Sequence, residues 1–230
     1  MDRPPGNING TCTFAITAQR AVPGTRRPLS AGAFGGHFQI FDGTSTFHQL
    51  PAIKEVLSGR GVRSVLDYGS GKALLYARSG IELPDGTRAH TVRDYLGVDR
   101  IECYDPGVTA FSALPDETFD AVISVDVLEH CPQEDVPWIL EEMFSRASKV
   151  IFATIAAFPA KKTLPNGENA HCTVKPASWW QDQVQRVAGA HPNVAYDFRV
   201  KELRPRPWPV SLVKGPRRLR TRITNSAGRG

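Results

Sequence analysis

No stretch of the chain approaches the ~18 consecutive apolar residues that a membrane-spanning helix needs, so no such helix is expected. The first ten residues are polar and carry Pro4 and Pro5; they lack the apolar core of a secretory signal, and the expected compartment is the cytoplasm. Cysteine is scarce, with Cys12, Cys103, Cys131 and Cys172 alone among 230 residues and no C-x-x-C pair. That excludes a disulfide scaffold, and in a cytoplasmic chain it points to free thiols. A Walker phosphate loop, G-x-x-x-x-G-K-[ST], is absent, and no internal repeat is visible.

The formal charge of +5 is uneven. Residues 201–230 hold nine Lys and Arg against the single acid Glu202, so the preceding body is slightly acidic. A basic nucleic-acid-binding core is therefore not favoured. At 41% hydrophobic and 22% charged residues, the composition fits one globular domain with flanking segments.

Residues 1–45 are rich in Gly, Pro, Thr and Ala and read as an N-terminal arm. Residues 46–60 suit a short amphipathic helix, with Ile53, Val56 and Leu57 on one face and Gly59 or Gly61 as its stop. Strands and helices then alternate. Strands are expected at Arg63–Tyr68, Arg100–Tyr104, Phe119–Val125 and Lys149–Ile155, and helices at Lys72–Arg78, Thr91–Leu96, Glu134–Ser148 and Pro176–Val187. Residues 79–90 carry a Pro-Asp-Gly turn and look like an insertion, and 156–173 form a long loop. Val194–Val200 and Trp208–Val213 are expected to close the sheet. From Lys214 to residue 230 the Arg-rich chain reads as a disordered basic tail. This alternation predicts an α/β fold with a mostly parallel sheet covered on both faces, and such sheets bind ligands beyond the C-terminal strand ends.

The residues that follow the strands carry the chemistry. Val65-Leu66-Asp67-Tyr68-Gly69-Ser70-Gly71 is an apolar strand delivering an acid and two glycines spaced G-x-G. Glycine permits a sharp turn and close approach of a ligand to the backbone, and a following helix would aim N–H groups at it. A dinucleotide fingerprint would need a third glycine where Leu74 stands. After the second strand comes Asp105-Pro106, an acid whose two oxygens can each accept a hydroxyl, with Glu102 in the same segment as the competitor. Further on, Leu114-Pro115 precedes Phe119-Asp120-Ala121-Val122-Ile123-Ser124-Val125-Asp126-Val127-Leu128-Glu129-His130.

Together these segments resemble the motifs of class I S-adenosylmethionine-dependent methyltransferases. Asp67, Gly69 and Gly71 match the D-x-G-x-G-x-G motif, with Ala73 in place of the third glycine, and 119–130 resembles the family's "FD-V-s-dvLEH" segment. The resemblance implies a Rossmann-like, doubly wound, mostly parallel seven-stranded sheet over residues 46–213 and S-adenosylmethionine as cofactor. It implies cofactor contacts from Asp67, Tyr68, Gly69, Ser70, Gly71, Asp105, Pro106, Ala113, Leu114 and Asp126, with Asp105 on the ribose and residues 112–114 beside the adenine. The acid that many relatives carry before the adenine loop is missing from Phe111-Ser112-Ala113-Leu114.

For the acceptor, His171 in the polar loop 164–173 is the first candidate base, and His130 and Asp126 are the others. Lys161, Lys162 and Lys175 flank that loop and suit an anionic or polyhydroxyl acceptor, so a small molecule or glycan is the expected partner. A nucleic acid or protein acceptor reached by the basic tail is the alternative, and a non-catalytic scaffold is a third reading. The pairs His130-Cys131 and His171-Cys172 have no standard zinc spacing, and no metal is expected. Trp179 and Trp180 are adjacent on a helix, so at least one should be core.

Overall fold

The computed structural model describes residues 43–83, 85–164, 167–204, 208 and 216–225. The apolar runs become the strands of one sheet. In chain order the elements are α1 (Thr44–Leu57), β1 (Ser64–Tyr68), β2 (Ile81–Glu82), β3 (Arg88–Ala89), α2 (Val92–Leu96), β4 (Arg100–Tyr104), β5 (Phe119–Val125), α3 (Val136–Arg146), β6 (Ala147–Ala157), α4 (Ala177–Ala188), β7 (Ala195–Arg204) and β8 (Arg217–Thr224). Single 3₁₀ turns occupy Thr109–Phe111 and Leu128–His130.

The central sheet runs β4-β1-β5-β6-β7-β8, parallel except for β8, and β2 pairs only with β3. The central sheet has six strands among the described residues, against the seven expected. Alternate strand residues feed two cores. Leu66, Val122, Ile151 and Phe198 pack with α3 and α4, while Val65, Ile123, Val150 and Phe152 pack with α1 and α2. Burial of both sets is why these strands read as unbroken apolar runs. Helix α3 buries Val136, Ile139, Leu140, Met143 and Phe144, the i, i+3, i+4, i+7, i+8 stripe of a surface helix. Phe144 stacks on Phe198 and meets Tyr196 edge-on, so truncating it to alanine is expected to cost about 3–5 kcal/mol.

Two expectations fail for physical reasons. Lys72–Arg78 is a succession of turns, not a helix. Gly71 at φ 58° and Ala73 at φ 53° interrupt the right-handed dihedrals that a helix start requires. The basic tail is not wholly irregular either, because β8 lies within it and pairs antiparallel with β7 from Asp197↔Thr224 to Arg204↔Arg217. Its arginines conceal a period of two: Ile223 is buried in the α3–α4 core, and the neighbouring Arg222 turns to the other face, onto Asp197. The strand expected at Trp208–Val213 lies outside the described residues except for Trp208, which is exposed in a turn. No helix among the described residues is long and apolar enough to cross a membrane.

Candidate site at the strand ends

β4 lies on one side of β1 and β5 on the other, so the loops leaving β1 and β5 diverge. That divergence is the switch point where open parallel sheets bind ligands. The chemistry-bearing residues lie there: Asp67 and the glycine loop after β1, Asp105 after β4, Asp126 and Glu129 after β5, and Thr154 near the end of β6.

The glycine loop is tied to the neighbouring strand. Gly69 and Ser70 N–H both donate to the Tyr104 carbonyl, at 2.7 and 3.1 Å, and Gly71 N–H donates to Asp105 Oδ2 at 2.9 Å. These donors are committed to β4, and no helix dipole follows them. Gly69 has a packing reason of its own: at φ +85°, a Cβ there would stand 2.5 and 2.6 Å from the Val127 methyl carbons. Close approach at this turn is therefore made by Val127 rather than required for a ligand.

Both acids of the first two motifs are buried, Asp67 at 2% and Asp105 at 7% exposure. Burial pushes the Asp67 carboxyl up to about 7, against the hydrogen bond that Tyr76 Oη donates at 2.6 Å. Asp105 is also raised by burial, while the N–H groups of Gly107 and Gly71 act to lower it. Tyr68 directs its side chain into the α3 core, with its hydroxyl on Glu142, and offers only backbone to the site. Pro106 is half-buried beside Asp105, Ala113 is exposed, and Leu114 packs against the core.

After β5 the backbone is forced. Asp126 stands at φ 56°, a left-handed conformation uncommon for a non-glycine residue and frequent at functional sites. Its Oδ1 accepts from Thr154 Oγ1 and from Lys201 Nζ, both at 2.6 Å. Three residues on, Glu129 is fully buried; Oε1 accepts the Ala156 N–H at 2.9 Å and Oε2 has no hydrogen-bond partner. Burial first, and the nearby Asp126 charge second, push Glu129 up to about 8.

The long loop after β6 folds back onto this turn. Thr173 N–H donates to the Glu129 carbonyl and its hydroxyl to the Cys131 carbonyl, while Asn169 bridges both backbone groups of Ala160 and accepts the His171 N–H. The result sets the His130 and His171 rings edge to face at 4.8 Å between centroids. Nδ1 of His130 lies 2.7 Å from the Ala170 carbonyl and Nδ1 of His171 lies 2.6 Å from the Phe158 carbonyl. A carbonyl only accepts, so each Nδ1 carries a proton, which leaves Nε2 as the nitrogen that can offer a lone pair. Burial lowers the His130 pKa.

The structure thus brings His130, His171 and Asp126 to one end of the sheet and adds Glu129, Thr154 and Lys201. Tyr76 joins Asp67 in the same way. Glu129 stood in plain view in the Leu-Glu-His segment, but Tyr76, Thr154 and Lys201 belong to no motif. Trp180 is fully buried and Trp179 packs beside it. A cavity of about 390 Å³ lies elsewhere, against Gly80, Ile81, Glu82, Arg88, Ala89 and His90. It gathers no comparable set of acids and bases, so the chemistry locates the candidate site and the cavity does not. Compared with known proteins, the chain matches no family model, no curated protein and no solved structure.

Proposed function

We propose that the chain is an S-adenosylmethionine-dependent methyltransferase, on a Rossmann-like doubly wound sheet, that methylates an oxygen or nitrogen of a small-molecule or glycan acceptor. The observation that carries this reading is the meeting of Asp67, the Gly69–Gly71 loop and Asp105 at the ends of two adjacent parallel strands, with Asp67 in register with Cys103 and Gly71 bonded to Asp105.

The residues fit the cofactor on two counts. Asp67 is a buried carboxyl with no cation paired to it among the described residues, which an amino group would satisfy. Asp105 spends one lone pair of each oxygen on the N–H groups of Gly71 and Gly107 and keeps another on each for a pair of ribose hydroxyls. When bound, the cofactor supplies an electrophilic methyl group. Asp67 and Asp105 bind and orient, and the cluster of Asp126, Glu129, His130 and His171 serves the acceptor side.

Calorimetry with S-adenosylhomocysteine tests the reading. Micromolar binding to the wild type, weakened at least tenfold in Asp105→Asn, supports it. Absence of binding to the wild type overturns it in favour of a non-catalytic scaffold.

A nucleic acid acceptor is favoured by one observation: Arg218 and Arg220 are exposed on β8, the edge strand. The competing account is that charged side chains guard that edge against pairing with another chain. Salt-sensitive RNA binding, lost on Arg218→Gln with Arg220→Gln, would decide for the nucleic acid.

A further inference from the structure

We propose that Glu129, His130 and His171 form a binding site for a divalent first-row transition-metal ion. One donor atom from each lies within 4.8 Å of the other two. Metal bonds to N and O of about 2.0–2.2 Å hold tetrahedral ligands ~3.5 Å apart, so the side chains must rotate inward when the ion binds.

Three independent features support the site. Each imidazole donates Nδ1–H to a backbone carbonyl, Ala170 or Phe158, which fixes the ring and the tautomer with Nε2 as the ligating nitrogen. Metal-bound histidines are oriented in this way. Glu129 is fully buried and anchored through Oε1 to the Ala156 N–H, while its Oε2 has no hydrogen-bond partner. A buried carboxyl oxygen without a hydrogen-bond partner is a cost that a bound cation removes. Third, the two parts of the site are stapled together by the Thr173 bonds to Glu129 and Cys131, so the cluster does not depend on one loop's conformation.

The cysteines beside both histidines turn away. Cys131 Sγ points to the Val127 carbonyl and Cys172 Sγ to the His130 carbonyl. Two imidazoles and one carboxylate, with no thiolate, suit Mn²⁺, Fe²⁺, Co²⁺, Ni²⁺ or Zn²⁺ rather than Mg²⁺ or Ca²⁺. Three protein ligands leave coordination positions open, the arrangement of a reactive metal rather than a structural one. The open positions would take an oxygen donor such as a hydroxyl. If the methyltransfer reading holds, that hydroxyl belongs to the acceptor, and both histidines act as ligands in place of the base role.

The test uses the full chain, stripped with chelator and titrated with Co²⁺ without any other ligand. One equivalent of Co²⁺ is expected to bind with micromolar or tighter affinity and to give visible absorption bands of nitrogen-ligated cobalt. Glu129→Gln and His171→Gln should each weaken binding at least tenfold, with far-UV circular dichroism unchanged, and Cys172→Ser should bind as the wild type does. A wild type that gives no bands at one equivalent overturns the proposal. So does binding that survives both ligand substitutions or disappears in Cys172→Ser. The readout needs no S-adenosylhomocysteine, so a negative result leaves the cofactor reading standing, and the reverse also holds.

Discussion

The Lys201 ammonium stands 2.6 Å from Asp126 Oδ1, joining β7 to the strained turn after β5 across the end of β6. Both side chains are about a quarter exposed, so the pair is screened less than a surface one. Thr154 donates to the same oxygen. The pair therefore both holds Asp126 in its left-handed conformation and offsets its charge beside Glu129.

Breaking this pair should loosen the turn. Lys201→Met and Asp126→Asn are each expected to lower unfolding free energy by about 1–2 kcal/mol, the low end for a hydrogen bond to a charged group because both side chains keep some exposure. A double-mutant cycle by urea denaturation should return a coupling of about 1 kcal/mol. A coupling of zero would mean that Thr154 alone fixes Asp126.

Gly69 offers a separable test of packing and backbone strain. Gly69→Ala meets both the Val127 methyls and an unfavourable φ of +85°. Gly86→Ala meets only the φ, at +80°, in open space. The left-handed conformation costs about 1–2 kcal/mol and overpacking a further ~1–3 kcal/mol. Gly69→Ala should thus be the more damaging in thermal unfolding, and adding Val127→Ala should recover part of the difference. Equal losses at the two glycines would remove Val127 from the account.

The strand-borne half of this site was legible because buried parallel strands leave continuous apolar runs, and the acids that end them stand out. Asp67, Asp105 and Asp126 stand out on that signal as strand-end acids. Long-range partners leave no such mark. Lys201 reaches Asp126 across 75 positions, and Tyr76 lies in a segment with a helical pattern that Gly71 and Ala73 prevent from forming a helix. His130 and His171 look like separate bases in the sequence, since nothing in their spacing says that Thr173 and Asn169 fold one onto the other. β8 leaves no strand signal because its arginine content masks the alternation that buries Ile223.

Asp197 on β7 shows what those arginines do. It is 3% exposed and takes hydrogen bonds from Arg199 and Arg222. Burial works to raise its carboxyl, and the two guanidinium groups overcome this and hold it below the usual range. Its contribution is therefore present above pH ~4 and lost as pH falls through the lowered folded value. Asp197→Asn should cost about 2–3 kcal/mol at pH 7, discounted from a fully buried pair because Arg222 is half exposed, and up to about 1 kcal/mol less at pH 3. Chemical denaturation at the two pH values measures this, and an equal loss at both would rule out the charge. The same pairing means that deleting 214–230 unfolds the sheet edge, so any role of the tail in binding must be read from Arg218 and Arg220 substitutions.

Asp67 carries the opposite sign. Its carboxyl is pushed up to about 7 in the folded chain, while the unfolded carboxyl ionises near its ordinary value of 3.8. Between those values the folded state keeps a proton that the unfolded state has lost, so stability falls as pH rises through this window and levels off above it. Asp67→Asn keeps an oxygen for the Tyr76 hydroxyl and has no proton to lose. It should unfold like the wild type near pH 4 and be the more stable of the two at pH 8, by about 2–4 kcal/mol. Tyr76→Phe removes a bond that favours the ionised form and should move the wild-type inflection upward. If Asp67 receives the amino group of S-adenosylhomocysteine, the ionised carboxylate is the binding form. Affinity should then rise about tenfold per pH unit up to about 7 and flatten above it. In Asp67→Asn it should be weak and independent of pH. A wild-type affinity that is flat from pH 5 to 8 would remove Asp67 from cofactor binding, whatever the folding measurements show.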